Sequence, residues 1–411
     1  MTQHDVTHLV AEAGARAHRA APTLAAATDA AITAALHAMA DQLSHESGPV
    51  LEANAQDLSD LDPSFPEAMR DRLRLDADRL EAMAGQIRVL AEASFPDPVV
   101  STRDLPGGFR LEERRRPVGV IGAVYEARPN VTVDVASQLL KSRNAGVLRT
   151  GRAALGSAMA LQRHVVEPAL RLAGLDAHAV QVVDSPDREG ARALVSMPAV
   201  VPLVIIRGSG DTTRELGAHA AAHGVRTLAH ADGGGVMYVD RAADLGLVAE
   251  LVTGSLDRLG VCNRLNLLLI HEDVWDGAVR VARAAAAQRG VELELPPHDH
   301  ALGREWALDE GNEAHVTVAP VGSAVEAAVA ANGETSGLAA TIVTEDRATA
   351  ERFIAAYAGT GAFWNASTRL LDGFKLLGAP ETGINVDHVP GPRGPVTFRD
   401  LHLRQFVVTP A

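Results

Sequence analysis

The single cysteine of this 411-residue chain, Cys262, lies in Leu259-Gly260-Val261-Cys262-Asn263-Arg264. A thiolate is a strong nucleophile, and cationic charge nearby lowers the pKa that produces it. Arg264 stands two positions on, although the sequence does not say which way it points. The plainer reading of a lone cysteine is a small buried hydrophobe. A cysteine–histidine hydrolase needs a partner imidazole, and the 16 histidines form no local protease signature around Cys262. One thiol without a ligand cluster is a poor zinc site, so no metal is expected. With one cysteine no intramolecular disulfide forms, which points to a reducing compartment.

Three other segments carry residue types suited to binding. The run Gly119-Val120-Ile121-Gly122 leads through Tyr125-Glu126-Ala127-Arg128-Pro129-Asn130 into a helix expected from Val131. Asn130 reads either as the N-cap of that helix or as an amide donor in an oxyanion hole. No GxGxxG follows a first strand, so the usual dinucleotide fingerprint is absent. Gly208-Ser209-Gly210, between a strand-like run and a helix near Asp211, offers a shorter alternative, since small residues and free helix N–H groups suit a pyrophosphate. Gly233-Gly234-Gly235 reads as a flexible turn or as a close backbone approach to a flat ring.

These residues need elements to place them. Residues 6–94 are Ala-rich with Leu and Met at helical spacing, which predicts several amphipathic helices. Pro96, Pro98 and Leu105-Pro106-Gly107-Gly108 break that pattern, and residues 109–114 alternate like a solvent-facing hairpin strand. From Val118 short β-branched runs alternate with helical stretches, the rhythm of a doubly wound parallel sheet, and a second such series starts near Leu265. Two α/β lobes follow, meeting between Asp240 and Cys262, so Cys262 is expected near a cleft. The tail ending in Leu-His-Leu-Arg-Gln-Phe-Val-Val-Thr-Pro-Ala reads as a strand expected to pair with the hairpin of another subunit.

Composition narrows the partners. A net charge of −14 disfavours a nucleic-acid or anionic-membrane surface, and 3% aromatic content weakens a base-stacking reading. No apolar run reaches the roughly 20 residues that span a bilayer, and the N-terminus lacks a signal-peptide pattern. A small-molecule substrate and a cytoplasmic setting are expected.

Taken together, the segments resemble one family end to end: the γ-glutamyl phosphate reductases of proline biosynthesis, within the aldehyde dehydrogenase superfamily. The similarity is carried by Glu52-Ala53-Asn54 with Asp57, Asp71-Arg72-Leu73, the run 125–134 (YEARPNVTVD), Leu140-Lys141-Ser142 with Asn144-Ala145, Val261-Cys262-Asn263, Asn365-Ala366-Ser367-Thr368-Arg369 and Arg393-Gly394-Pro395. The resemblance implies an α/β fold with a Rossmann-type cofactor lobe, an α/β catalytic lobe and a small β oligomerisation element. The corresponding boundaries are 1–104 for the N-terminal helices of the cofactor domain, 105–117 for an oligomerisation hairpin and 118–240 for the dinucleotide-binding domain. Residues 241–370 form the catalytic domain, 371–395 return to the cofactor domain, and 396–411 supply a C-terminal oligomerisation strand. A homodimer or homotetramer is implied.

The resemblance also implies roles. Cys262 is the nucleophile, and Asn130 with the Cys262 backbone N–H cradles the oxyanion while an acyl phosphate becomes a thioester and is reduced with NADPH. Gly208 and Ser209 resemble the pyrophosphate turn, Arg149, Thr150 and Gly151 the ribose loop, and Glu381 the carboxylate that holds the nicotinamide ribose. Gly233 belongs with the cofactor contacts, and the charge of Arg152 suits a 2′-phosphate, favouring NADP(H). Arg128 and Arg369 are candidates to hold a carboxylate or phosphate, or else structural ion pairs, with Asn263 and Ser367 beside them. The chain departs from the family at Asn266, Val236, Leu338-Ala339-Ala340 and Arg143, where the family has Glu, His, a His-Ser-Glu-like stretch and Gly. If the lost polar groups read the substrate, a diverged paralogue acting on another acyl phosphate or aldehyde follows. A non-catalytic binding subunit is the third reading.

Overall fold

The computed structural model describes residues 3–411 except 66, 127, 209, 231–232, 307–313 and 388–390. The Ala-rich N-terminal region forms the helices Gln3–Ala25, Asp29–His45, Ser47–Ser59, Glu67–Leu73 and Ala77–Glu92. Thr28 and Asp76 cap the second and fifth by accepting the Ala31 and Arg79 N–H groups. Their apolar stripes, among them Ile32, Leu36, Met39 and Ile87, pack into the same core as Ile121, Val147 and Val204 of the first parallel sheet.

Strands β1 (Val99–Leu105) and β2 (Phe109–Pro117) form the hairpin, with Gly107 and Gly108 at φ 85° and 77° in the turn. The hairpin thus opens at Val99, ahead of the expected boundary at 105, because 99–105 pairs antiparallel with β2. The first parallel sheet holds β3 (Val120–Tyr125), β4 (Ala145–Thr150), β5 (Val180–Val182), β6 (Leu203–Arg207) and β7 (Arg226–His230) in the order β5-β4-β3-β6-β7. The order reverses between β3 and β6, and ligands of open α/β sheets bind at the carboxyl ends beside such a switch point.

The second parallel sheet holds β8 (Gly235–Val239), β9 (Leu265–His271), β10 (Glu292–Glu294), β11 (His315–Val321), β12 (Ala339–Val343) and β13 (Gly361–Trp364), in the order β10-β11-β9-β8-β12-β13. Apolar clusters cover both its faces, one around Met237, Leu268 and Ile270, the other around Val236, Leu267 and Phe353. Near-continuous apolar strands are what burial on both faces demands. The chain then returns through β14 (Gly383–Asn385) and β15 (Gly394–Val396) to β16 (His402–Pro410).

The last strand corrects one expectation. β16 pairs with β2 of its own chain, from His402 opposite Pro117 to Pro410 opposite Phe109, rather than with the hairpin of another subunit. The antiparallel register matches the whole of β2, which is thereby paired on both edges, between β1 and β16.

Candidate functional site

The two sheets face one cleft with opposite ends. Tyr125 and Arg207 close the carboxyl ends of β3 and β6, whereas Gly235, Leu265 and Ala339 open the amino ends of β8, β9 and β12. The cleft between them has a volume of about 370 Å³, with Cys262, Asn130, Arg72, Arg128, Arg207, Arg258, Arg369 and Glu381 in its walls.

Cys262 is held by backbone packing. The Gly234 N–H donates to the Cys262 carbonyl at 2.5 Å, and the Gly235 N–H to that of Arg264 at 2.6 Å. A Cβ on Gly233 would stand 2.5 Å from the Cys262 carbonyl oxygen and 2.7 Å from its Cβ. The triple glycine is therefore a place where two backbones touch. Its first N–H is taken by the Glu305 carboxylate.

Beside the thiol lies an apolar wall of Leu338, Ala339, Leu371, Ile384 and Val386. Burial pushes the thiol up to about 11; Arg128 acts against this, while Glu381 and Glu305 add to it. Arg264 does not face the thiol. It is fully buried, with Nε donating to Asn266 Oδ1 at 2.8 Å and Nη2 to the His315 carbonyl at 2.6 Å. The cation that acts on Cys262 comes instead from the other lobe.

That lobe contributes Asn130 and the arginines. Asn130 occupies the N-cap position of helix Val131–Lys141, but its side chain makes no capping bond; Nδ2 donates to Asp134 Oδ2 at 2.8 Å. Burial pushes Asp134 up to about 6, against the pull of Arg207 and the Asn130 amide. The Arg128 side chain makes no hydrogen bond or ion pair among the described residues, and burial together with Arg207 and Arg72 pushes it down to about 9, still cationic at neutral pH. Arg207 leaves Nε without a partner among the described residues, and Arg72 reaches the Gly260 carbonyl at 2.5 Å. Three neighbouring guanidinium groups repel one another in a partly closed space, an arrangement that an anion relieves.

Arg369 is tied down by contrast. Nε donates to Asp257 at 2.7 Å and Nη1 to Asn263 Oδ1, while Asn263 Nδ2 donates to the Leu371 carbonyl at 2.9 Å. Ser367 stands behind this turn, bonded to Ser255 at 2.7 Å and to the Arg369 N–H, and is not part of the cleft wall. Glu381 accepts the Gly373 N–H at 2.8 Å. Its segment is anchored by the buried Gln138, which donates to the Pro380 carbonyl at 2.8 Å and accepts the Phe398 N–H at 2.6 Å.

Of the expected cofactor residues, Glu381 and Gly233 lie at this cleft, and the others stand at the carboxyl ends of β4 and β6. Arg149 is buried, with Nη2 donating to the Pro186 and Asp187 carbonyls at 2.9 Å and Nε unpartnered. The Thr150 hydroxyl is also buried without a partner among the described residues, Gly151 precedes a short 3₁₀ turn, and Arg152 is exposed. A Cβ on Gly208 would meet Thr212 and Glu126 only at ordinary contact distance; Ser209 lies outside the described residues. Orphaned donors beside a topological switch point fit a dinucleotide.

The sequence pattern of the aldehyde dehydrogenase family matches residues 2–300. A γ-glutamyl phosphate reductase of Chloroflexus aurantiacus is 38% identical over 410 residues, covering 94% of this chain and 95% of that one. The chain belongs to the aldehyde dehydrogenase family, in its γ-glutamyl phosphate reductase branch. A second branch member, from Opitutus terrae, is 33% identical with 98% of each chain covered. The crystal structure of γ-glutamyl phosphate reductase from Thermotoga maritima superposes with a TM-score of 0.88 at 27% identity, covering 97% of this chain and 98% of that one.

Within this family frame, the four departures separate. Val236 is a core residue of β8, and Arg143, at φ 57°, binds Asp29 and the Ala27 carbonyl away from the cleft. Asn266 lies beneath Gly234, and Leu338 and Ala339 are in the thiol's wall, so these positions border the reaction centre. The sequence reading did not single out Arg72, Arg207, Arg258, Asp134 or Glu305. Arg72 and Asp134 stood inside family-like motifs, and Arg207 directly precedes Gly208; nothing local marked Arg258 or Glu305.

Proposed function

We propose that the protein reduces L-glutamyl 5-phosphate to L-glutamate 5-semialdehyde and phosphate with NADPH, a step of proline biosynthesis, through a thioester on Cys262. The carrying observation is a thiol set across from Arg128, a guanidinium without an ion-pair partner among the described residues and pressed by Arg72 and Arg207. Such a cluster suits the phosphate of an acyl phosphate. Cys262 Sγ bonds to the acyl carbon, the carbon–oxygen bond to phosphate breaks, and the thiol proton leaves on the phosphate. Asn130 Nδ2 donates to the carbonyl oxygen as it becomes negative. The nicotinamide cofactor, when bound, supplies the hydride that brings the thioester to the aldehyde level. Glu381 and the Thr150 side chain would hold it, and the charge of the exposed Arg152 supports NADPH over NADH. Collapse then breaks the carbon–sulfur bond, and the apolar wall of Leu338 and Leu371 keeps water from diverting the thioester to the acid.

The test supplies L-glutamate 5-semialdehyde, phosphate and NADP⁺ and follows NADPH formation, with Cys262→Ala alongside. Turnover in the wild type and none in the variant is expected; turnover that survives without the thiol would sink the reading.

We further infer a homodimer or homotetramer built on the β1-β2-β16 arm. Phe109, Leu403, Phe406 and Val408 are each about half exposed on it (45–57%), and a narrow sheet open on both faces needs a partner. Light scattering on Phe406→Glu combined with Leu403→Glu should give a smaller species. The reducing cytoplasm suits a catalytic thiol, and no helix among the described residues is long and apolar enough to cross a membrane.

A further inference from the structure

Asn130 stands where a helix cap belongs, yet its side chain does not cap. The first-turn donors are already taken: the Val131 and Thr132 N–H groups reach the Arg128 and Pro129 carbonyls, and those of Val133 and Asp134 reach Asn130, all at 3.1 Å. With no orphan N–H to satisfy, the amide is available for another task. It turns to Asp134, one helical turn on and on the same face.

We propose that Asp134 is a positioning residue for the reduction: its carboxylate fixes the Asn130 amide nitrogen in the cleft and leaves the second N–H of that nitrogen for the oxyanion. The proposal rests on the oxyanion reading of Asn130 given above. An ionised carboxylate only accepts, so it selects the amide nitrogen and rejects the flipped form, which would set oxygen against oxygen. An amide nitrogen has two hydrogens, so one can be held while the other works. Asp134 itself lines the cleft, and Arg128 and Arg207 face it, offsetting a charge that would otherwise oppose a developing oxyanion. Holding the donor before the reaction removes the cost of ordering it during the reaction.

A double-mutant cycle in kcat tests this. Asn130→Ala is expected to lose about a hundredfold in kcat, and Asp134→Ala about tenfold with KM changed by less than about twofold. The double variant should match Asn130→Ala within about twofold, because Asp134 has nothing left to position. Asp134→Asn, which keeps an acceptor oxygen, should recover most of the loss. Iodoacetamide labelling of Cys262 at the wild-type rate, with an unchanged melting temperature, shows that the variants are folded. A tenfold loss that persists in the Asn130→Ala background, or full activity in Asp134→Ala, overturns the positioning role alone. Wild-type kcat in Asn130→Ala overturns the oxyanion reading and this role with it. Should Asp134→Ala not fold, Asp134→Leu, which keeps the branched shape but accepts no hydrogen bond, gives the same cycle.

Discussion

The two lobes equip one cleft in opposite ways. The first brings charge that is poorly compensated: Arg128 and Arg207 and the Asn130 amide stand at carboxyl strand ends, where a parallel sheet leaves its loops open to ligands. The second brings a thiol on an apolar wall, fixed by glycine backbone and bordered by groups that already have partners, such as Arg369 and Asn263. The cation that acts most on the buried thiol, Arg128, comes from the other lobe, since Arg264 is turned into the core.

Substitutions that break this division should differ in kind. The largest effect after loss of the thiol is expected for Arg128→Ala, with kcat/KM for the acyl phosphate falling by about 10²- to 10³-fold and no loss of melting temperature, because like charges are thinned. Activity within threefold of wild type would remove the phosphate from that wall. Gly233→Ala forces a methyl group into the Cys262 backbone; a displaced nucleophile should cost about 10²-fold in kcat and overpacking about 1–3 kcal/mol of stability, read by single-turnover kinetics and denaturant melts. Arg152→Ala should raise the KM for NADPH about tenfold, the order of one charged hydrogen bond, while leaving NADH unaffected. Smallest is the contrast between the two arginines near the thiol. Removing Arg128 raises the thiol pKa further above about 11, so alkylation of Cys262 at pH 8 should slow several-fold. Arg264→Met should leave alkylation unchanged and lower stability by about 1–3 kcal/mol through unsatisfied buried partners.

The fold was legible because strand and helix periods are local: the Ala-rich helices, both series of apolar strands and the helix from Val131 follow from spacing over a few residues. Cys262 and Asn130 were legible through their motifs, and the structure brings them to one cleft. What spacing did not carry was direction. Arg264 adjoins Cys262 in sequence and faces away, whereas Arg72 is 188 residues from the Gly260 carbonyl it binds. Glu305 illustrates the same limit, since its contact with the Gly233 N–H joins segments that only the folded chain brings together. The triple glycine was read as a turn or a ring contact; its cause is a neighbouring backbone, which no local pattern records. Ser367 shared a motif with Arg369 yet supports the turn from behind, because adjacent residues outside regular structure need not share a face.

The second sheet begins at Gly235, and the glycines at 233–235 that lead into it are the strip of backbone that grips Cys262. Backbone at 233–235 is therefore at once the first step of the second sheet and the cradle of the nucleophile, so a change that loosens the start of β8 also loosens the aim of the sulfur.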